Sequence, residues 1–172
     1  DIDSGKFTRL TTADGYDAEG SYSPAGDKIV FASNRNAYSR QLSVKEMEIF
    51  ERDKSYFNDI YLMNSDGTGT RQLTNSEGYD GGPFFNSQGD QICWRRFSPN
   101  GHKAEIFKMD LASQTEKKLT RLDAMSWAPY FHPSNKYLIF STNLHGFNNF
   151  ELYVVDIDGE KQPVRVTNAD GF

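Results

Sequence analysis

The chain has 172 residues, of which 37% are hydrophobic and 14% aromatic, and this length is enough for one sizeable core. Its formal net charge is −5 and it contains no basic run, which argues against nucleic acid or an anionic membrane as a partner. No apolar stretch approaches the roughly 20 residues that a membrane span requires, and the single cysteine, Cys93, excludes an internal disulfide.

A repeat of 46 residues organises the sequence. Ile60, Ile106 and Leu152 occupy matching positions and are spaced by 46 residues. Leu10 and Leu73 also match, but they lie 63 residues apart, so the first copy carries 17 extra residues. A unit of about 40–50 residues that contains four short strands is typical of a β-propeller blade.

Each copy opens with an aromatic strand, which includes Tyr22 in the first copy. A tight turn follows, and it ends in Gly26, Gly89 or Asn135, the residue types that best tolerate a positive φ. The second strand is an unbroken apolar run, such as 29–31. A continuous run indicates burial on both faces, as for a strand between stacked sheets.

The extra residues of the first copy lie within 35–57, after its second strand. Ser43 and Glu46 have the spacing of a capping box and predict that a helix begins there. Met47 and Phe50 supply an apolar surface on this insertion. Two interpretations stay open, because the helix either lies on the propeller's own face or presents a free surface to a partner.

The third strand, such as 59–63, leads into an Asp-Gly turn, such as 66–67. The fourth strand, such as 117–119, is short and rich in Lys and Arg, which suits an exposed edge. A fourth copy begins at 166–167 and stops at the end of the chain.

These elements predict an all-β chain with about three blades, each of four antiparallel strands. Blade one is placed at about 8–66 with the insertion, blade two at about 71–113 and blade three at about 117–159. A β-sandwich also uses many short strands, but it gives no reason for a 46-residue repeat. Because a closed propeller has about 4–8 blades, we expect the chain to be a fragment of a longer protein.

The first copy contains a Leu-Thr pair, a Gly-Tyr-Asp loop, a Ser-Pro-x-Gly turn, Ile-Val-Phe, Ser-Asn-Arg, Asp-Ile-Tyr-x-Met and Asp-Gly. These motifs are Leu10-Thr11, Gly15-Tyr16-Asp17, Ser23-Pro24-Ala25-Gly26, Ile29-Val30-Phe31, Ser33-Asn34-Arg35, Asp59-Ile60-Tyr61-Leu62-Met63 and Asp66-Gly67. In this order they resemble the repeat of the TolB-like, WD-repeat-like β-propellers. The third copy departs from the pattern, since residues 124–127 replace Gly-Tyr-Asp-Gly.

The resemblance implies a six-bladed ring in the bacterial envelope, periplasmic or secreted, that binds protein or peptide. The segments 78–85 and 125–133 are also similar to propellers that are joined to zinc aminopeptidase domains. That second likeness implies a propeller that serves a peptidase domain outside this sequence.

In an up-and-down blade, the loops after the second and fourth strands share one face, and the insertion lies on that face. We predict partner binding there, because Trp, Tyr and Arg contribute most of the energy of protein interfaces. The candidate residues are Tyr16, Tyr79, Arg95, Arg96, Trp127, His145, Met47 and Phe50.

Alternatives stay open for several of these side chains. Arg95 and Arg96 either contact an acidic group of a partner, or one pairs with a neighbouring Asp while the other is solvated. Trp127 either stacks on a ligand or caps the interface between blades. Asp17 and Asp80 occupy matching loop positions, where they either form a carboxylate ring for a cation or fix the turn by accepting backbone N–H bonds.

The sequence predicts no metal site and no cofactor. His102, His132 and His145 fall on different faces or blades, whereas zinc requires three or four convergent ligands. No Gly-x-Ser-x-Gly elbow or phosphate-binding glycine loop occurs, so we expect no catalysis by this chain. Whether the parent protein is an enzyme is left open.

The leading hypothesis is a non-catalytic propeller that binds a protein or peptide in the bacterial envelope. The alternative is an accessory domain that gates substrate for a larger hydrolase, such as a zinc aminopeptidase. A weaker alternative is a carbohydrate-binding propeller that uses Trp94 and Trp127. The expected partners include neither nucleic acid nor a membrane span, and self-association through open propeller ends is expected.

Overall fold

The structure, a computed structural model, describes residues 2–169 and contains three four-stranded sheets. The first sheet comprises β1 (Asp17–Tyr22), β2 (Lys28–Ser33), β3 (Asp59–Asn64) and β4 (Arg71–Gln72). The second comprises β5 (Asp80–Phe85), β6 (Gln91–Phe97), β7 (Ala104–Asp110) and β8 (Thr115–Lys118). The third comprises β9 (Ser126–Phe131), β10 (Tyr137–Thr142), β11 (Glu151–Asp156) and β12 (Val164–Arg165).

Every sheet is an antiparallel meander in which the strands follow one another in sequence order. The prediction of three four-stranded antiparallel units is therefore confirmed. β4 opens the second sequence unit but closes the first sheet, and β8 closes the second sheet in the same way. The sheets and the sequence units are thus offset by one strand, and the unit boundaries stay a prediction. Residues 170–172, the end of the fourth copy, and Asp1 lie outside the described residues.

The first strand of each sheet contains a bulge at the same repeat position. Glu19, Gly82 and Ala128 have φ values of 55°, 62° and 49°, in the left-handed region. The pairing register shifts at this point in all three sheets. A bulge bends its strand and changes the direction of a side chain. At Glu19 the carboxylate contacts the second sheet, as described below.

Apolar layers between successive sheets form the core. Val30 and Trp94 are fully buried between the first and second sheets, while Cys93 and Phe140 are buried between the second and third. Ile29, the neighbour of Val30, belongs to a separate cluster on the opposite face of the first sheet. Both faces of β2 are therefore covered, which accounts for its unbroken apolar sequence.

The outer face of the third sheet is less covered than the matching faces of the other two. Leu152 is 41% exposed, whereas Ile60 and Ile106, at the same repeat position, are fully buried by the sheet that follows them. Within residues 2–169 no further sheet covers Leu152. An exposed apolar face of this kind favours association.

The insertion forms three short elements, which are α1 (Arg35–Ser39), α2 (Val44–Arg52) and a 3-10 helix (Lys54–Phe57). The predicted capping box is present, because Ser43 Oγ accepts from Glu46 N at 3.3 Å and Glu46 Oε2 accepts from Ser43 N at 2.8 Å. No residue of α2 is buried. No helix within residues 2–169 has the length and apolarity to cross a membrane.

Aromatic rings hold the insertion together. Phe50 contacts Tyr38 and Phe57 edge to face, at centroid distances of 5.1 and 5.8 Å. Lys54 lies 5.2 Å from the centroid of the Phe50 ring, and its carbonyl accepts from Asn34 Nδ2 at 3.2 Å. The Asn34 bond ties the end of the insertion back to the end of β2.

Candidate binding face

The longer loops lie at one end of the three sheets, which we call the loop face. It comprises the insertion and the loops 73–79, 98–103, 119–125 and 143–150. Ser33, at the end of β2, pairs with Asp17 at the start of β1 and with Asp59 at the start of β3. This pairing brings the chain segments before β1 and after β2 to the same end.

The eight predicted binding residues divide into two groups. Tyr16, Met47 and Trp127 are 55%, 43% and 41% exposed, and His145 is also exposed. Their aromatic or apolar surface is available to a partner. The other four side chains are only partly exposed and contact groups within the chain, and these are Phe50, Tyr79, Arg95 and Arg96.

Glu19 joins the first sheet to the second through Tyr79 and Arg95. Its Oε2 accepts from the Tyr79 hydroxyl at 2.5 Å and from Gly82 N at 2.8 Å, and its Oε1 accepts from Arg95 at 2.6 Å. Burial alone would raise the pKa of Glu19, but these donors outweigh it and lower the pKa. Burial and the bond to Glu19 raise the pKa of Tyr79. Arg95 is therefore paired and only 16% exposed, which corrects the expectation of a solvated arginine.

Asp17 and Asp80 bind arginines, so both interpretations of their matching positions are wrong. Asp80 is fully buried and its two carboxylate oxygens accept from Arg96 Nε and Nη2, each at 2.7 Å. Asp17 accepts from Arg35 at 2.8 Å. Burial alone would raise the pKa of Asp17, but Arg35 and nearby hydroxyls lower it. A bidentate pair fixes geometry, so Arg96 is committed to the frame of the loop face.

A row of aromatic rings runs along the loop face across the second and third sheets. Tyr79 lies 5.4 Å from Phe97, Phe97 lies 6.4 Å from Trp127, and Trp127 lies 5.3 Å from Phe150, measured between ring centroids. Trp127 thus contacts rings of both sheets while 41% of its surface stays exposed. Trp127 therefore caps the interface between the second and third sheets, and its stacking on a ligand stays a prediction.

Two cavities flank the insertion. The first, which we call the insertion cavity, has a volume of about 300 Å³ and lies between residues 36–57, Asp59 and residues 75–77. The second has a volume of about 500 Å³ and lies between the insertion, Tyr79, Phe97 and the loop 98–101. Ile49 and Tyr56 line both cavities, so the insertion forms a wall between them.

Asp59 is a buried carboxylate in the wall of the insertion cavity. Its Oδ1 accepts from Thr74 Oγ1 at 3.3 Å and Ser76 N at 3.2 Å, and its Oδ2 accepts from Gln72 at 2.8 Å. Burial, together with the nearby charge of Asp80, raises the pKa of Asp59 to about 7. The group therefore changes charge near neutral pH.

Sequence reasoning missed Glu19 and Asp59. The repeat alignment could have identified Asp59, because Asp59 matches Glu105 and Glu151 at the start of the third strand. Each of these acids accepts from the matching threonine, which is Thr74, Thr120 or Thr167, so this threonine serves the frame of the repeat. The sequence gives no comparable signal for Glu19, since its partners lie on another sheet.

The histidines do not converge. His132 bonds Ser134 in the turn after β9, and His145 lies 6.3 Å from the Tyr153 ring on the third sheet. Within the described part of the chain, no group of three or more His, Cys, Asp or Glu side chains is placed to hold a metal ion.

No protein-family model matches the chain. Among curated proteins, the Tol-Pal system protein TolB of Gluconobacter oxydans (strain 621H) is 30% identical over 112 residues. That match covers 65% of this chain but only 24% of the relative, so the chain spans about a quarter of its length.

Solved structures show the same architecture. TolB from Acinetobacter baumannii superposes with a TM-score of 0.69 at 21% identity, covering 95% of this chain and 35% of that one. A puromycin-hydrolyzing peptidase from Mycobacterium tuberculosis superposes with a TM-score of 0.62 at 14% identity, covering 90% and 24%. The repeat, the three sheets and these likenesses together show that the chain has the blade fold of the TolB-like β-propellers.

Proposed function

We propose that this propeller is a non-catalytic module that binds a protein or peptide on its loop face. The observation that supports this proposal most directly is the combination of the insertion with exposed aromatic surface. Met47 and Trp127 are more than two-fifths exposed, and the second cavity separates the insertion from the rings of Tyr79 and Phe97. A cleft with apolar walls and polar edges is the usual form of a peptide-binding site.

Ion pairs and hydrogen bonds hold the strands that frame the loop face in fixed positions. The Arg96–Asp80 pair joins β6 to β5 within the second sheet, and the Glu19 bridge holds both strands against the first sheet. Preorganised side chains lose less conformational entropy on binding. We place the module in the bacterial envelope, periplasmic or secreted, because its curated relative is named for the Tol-Pal system.

Deletion of residues 38–56 tests the proposal. We expect the variant to keep its β circular-dichroism signal, since the insertion contributes no strand. Peptides selected from a random phage library on the intact chain should bind the variant about tenfold or more weakly, because a wall of both cavities is removed.

Point variants supply matched controls. Trp127→Ala on the loop face should weaken the selected peptides, whereas Tyr22→Ala beside the turn after β1 should not, although Tyr22 is 61% exposed. Equal binding by the deletion variant and the intact chain would place the site elsewhere. Unfolding of the variant would show instead that the insertion is a structural brace.

A second candidate is a domain that gates substrate for a hydrolase outside this sequence. The likeness in fold to a puromycin-hydrolyzing peptidase favours it. In the parent protein, gating predicts that deletion of 38–56 changes turnover of long peptides more than turnover of a small aminoacyl reporter. Equal changes for both substrates, or none, would favour the simple binding module.

A further inference from the structure

The carboxylate at the start of the third strand has a cationic partner in two of the three sheets. Glu151 pairs with Arg165 at 2.8 Å, and Glu105 lies 3.9 Å from Lys118. Both cations come from the fourth strand, where Lys118 lies opposite Phe107 and Arg165 opposite Tyr153. In these two sheets the chain itself supplies a cation beside the acid, which is buried at Glu151 and partly buried at Glu105.

The first sheet lacks this cation. Gln72 occupies the matching position on β4, opposite Tyr61, and donates a neutral hydrogen bond to Asp59. Among residues 2–169 no Lys or Arg nitrogen forms an ion pair with Asp59. The nearest candidates are engaged elsewhere, because Arg96 binds Asp80 and Arg40 binds Glu46 at 2.6 Å.

The acid itself is also changed in the first sheet. Glu105 reaches the backbone N–H groups of Leu122 and Asp123 in the loop after its fourth strand. Asp59 is one methylene shorter and accepts only the N–H of Ser76 in the matching loop, at 3.2 Å. Space therefore remains beside the Asp59 carboxylate, and it is the insertion cavity.

The first sheet thus departs from the repeat in three ways at one place. It has the insertion, it has Asp59 where the other sheets have Glu, and it has Gln72 where they have Lys or Arg. We propose that the insertion cavity binds a primary ammonium group of a partner, which replaces the missing fourth-strand cation beside Asp59. This inference rests on the proposed function and names the chemistry that the loop face recognises.

An ammonium group fits the site better than a guanidinium group. Both oxygens of Asp59 already accept hydrogen bonds, so the carboxylate cannot present two free oxygens to the fork of an arginine. A compact ammonium needs fewer free acceptors, and Glu77 offers a second carboxylate on the cavity wall. Ile49 and Phe57 supply apolar wall for the carbons next to the nitrogen, and Lys45 is exposed, with its charge free to remain in solvent.

Three peptides test the proposal by isothermal titration calorimetry of the whole chain at pH 7.5. Ala-Ala-Ala amide carries a free N-terminus, acetyl-Ala-Lys-Ala amide carries only a lysine amine, and acetyl-Ala-Ala-Ala amide carries no amine. We expect one or both amine peptides to bind and the neutral peptide not to bind. The stronger amine peptide identifies the source as a peptide N-terminus or a lysine side chain.

Two variants connect binding to Asp59. Gln72→Lys supplies the internal cation of the other sheets and should weaken the amine peptide about tenfold or more, because hydrogen bonds to charged groups contribute that much. Asp59→Asn removes the charge and should have a similar effect. Thr70→Lys adds the same charge at the exposed position just before β4 begins and should leave binding unchanged.

Equal binding of the acetylated neutral peptide, or unchanged binding to Gln72→Lys with its fold confirmed by circular dichroism, would overturn the ammonium site. Failure of all three peptides on the intact chain would also overturn it. The proposed function would survive any of these results if phage-selected peptides still required residues 38–56, so the two proposals can fail separately.

Discussion

At the scale of single residues, Asp59 shows how one shorter side chain changes the electrostatics of a repeated position. Its carboxylate is buried in the wall of the insertion cavity, where only neutral groups donate to it. Burial removes most of the carboxylate's hydration and the charge of Asp80 is close, so the protonated form is favoured and the pKa rises to about 7. The unfolded chain keeps the ordinary value near 3.8.

This difference makes stability depend on pH. Between about pH 4 and 7 the unfolded chain has released the Asp59 proton while the folded chain retains it, so the free energy of unfolding falls as pH rises. Relative to wild type, Asp59→Asn should therefore gain stability from pH 5 to pH 8, by roughly 2–3 kcal/mol in urea unfolding.

Asp66→Asn is the control for this measurement. Asp66 is exposed, and its bonds to Thr68 lower its pKa, so its titration is complete below pH 5. The difference between wild type and Asp66→Asn should stay flat from pH 5 to pH 8. A flat difference for Asp59→Asn as well would show that the buried carboxyl titrates normally.

At the scale of elements, the turn between β11 and β12 shows how adjacent sheets are fitted together. Gly159 has a φ of 59°, and a Cβ at this position would lie 2.8 Å from the Cα of Leu119, the residue that follows β8 of the second sheet. Leu119 is buried between the second and third sheets. Close approach of the two backbones, as well as the positive φ, therefore requires glycine here.

Gly159→Ala should lower the free energy of unfolding by about 2–4 kcal/mol, which combines left-handed strain with overpacking. Gly26 has a φ of 72° but no atom within 4 Å of an added Cβ. Gly26→Ala should therefore cost only about 1–2 kcal/mol, the strain alone. Urea unfolding of both variants measures the difference, and equal losses would show that the contact with Leu119 contributes nothing.

The strands and the helix of the insertion were largely predictable from the sequence. Comparing the three copies of the repeat locates each strand more reliably than local propensity alone. The capping box at Ser43 and the three four-stranded units follow from spacing. The contacts of the loop face were not predictable in the same way. Glu19 and Arg95 are 76 residues apart and meet only when two sheets stack. The alignment could have identified Asp59 as a repeated acid. Its raised pKa could not be predicted, because it depends on burial and on the nearby charge of Asp80.

At the scale of the whole molecule, each sheet covers the face of the one before it, and the third sheet has no such cover within residues 2–169. Ile60 and Ile106 are buried by the next sheet, whereas Leu152 is 41% exposed. Ile139 and Val154 on the same face are only partly buried. This face has the shape and sequence pattern that pack against another propeller sheet.

We therefore expect the 172-residue chain to associate in solution, because burying the open sheet face removes apolar surface from water. Leu152→Lys should raise the concentration needed for association about tenfold or more, since burial of one leucine contributes roughly 1.5–3 kcal/mol. Val44→Lys is the matched control, because Val44 is 80% exposed on α2 of the insertion, away from this face. Light scattering across a concentration series distinguishes the outcomes.

A folded wild-type chain that stays a monodisperse 19.6 kDa monomer at every concentration would refute the expectation. Equal effects of Leu152→Lys and Val44→Lys would show that the chains associate through another surface.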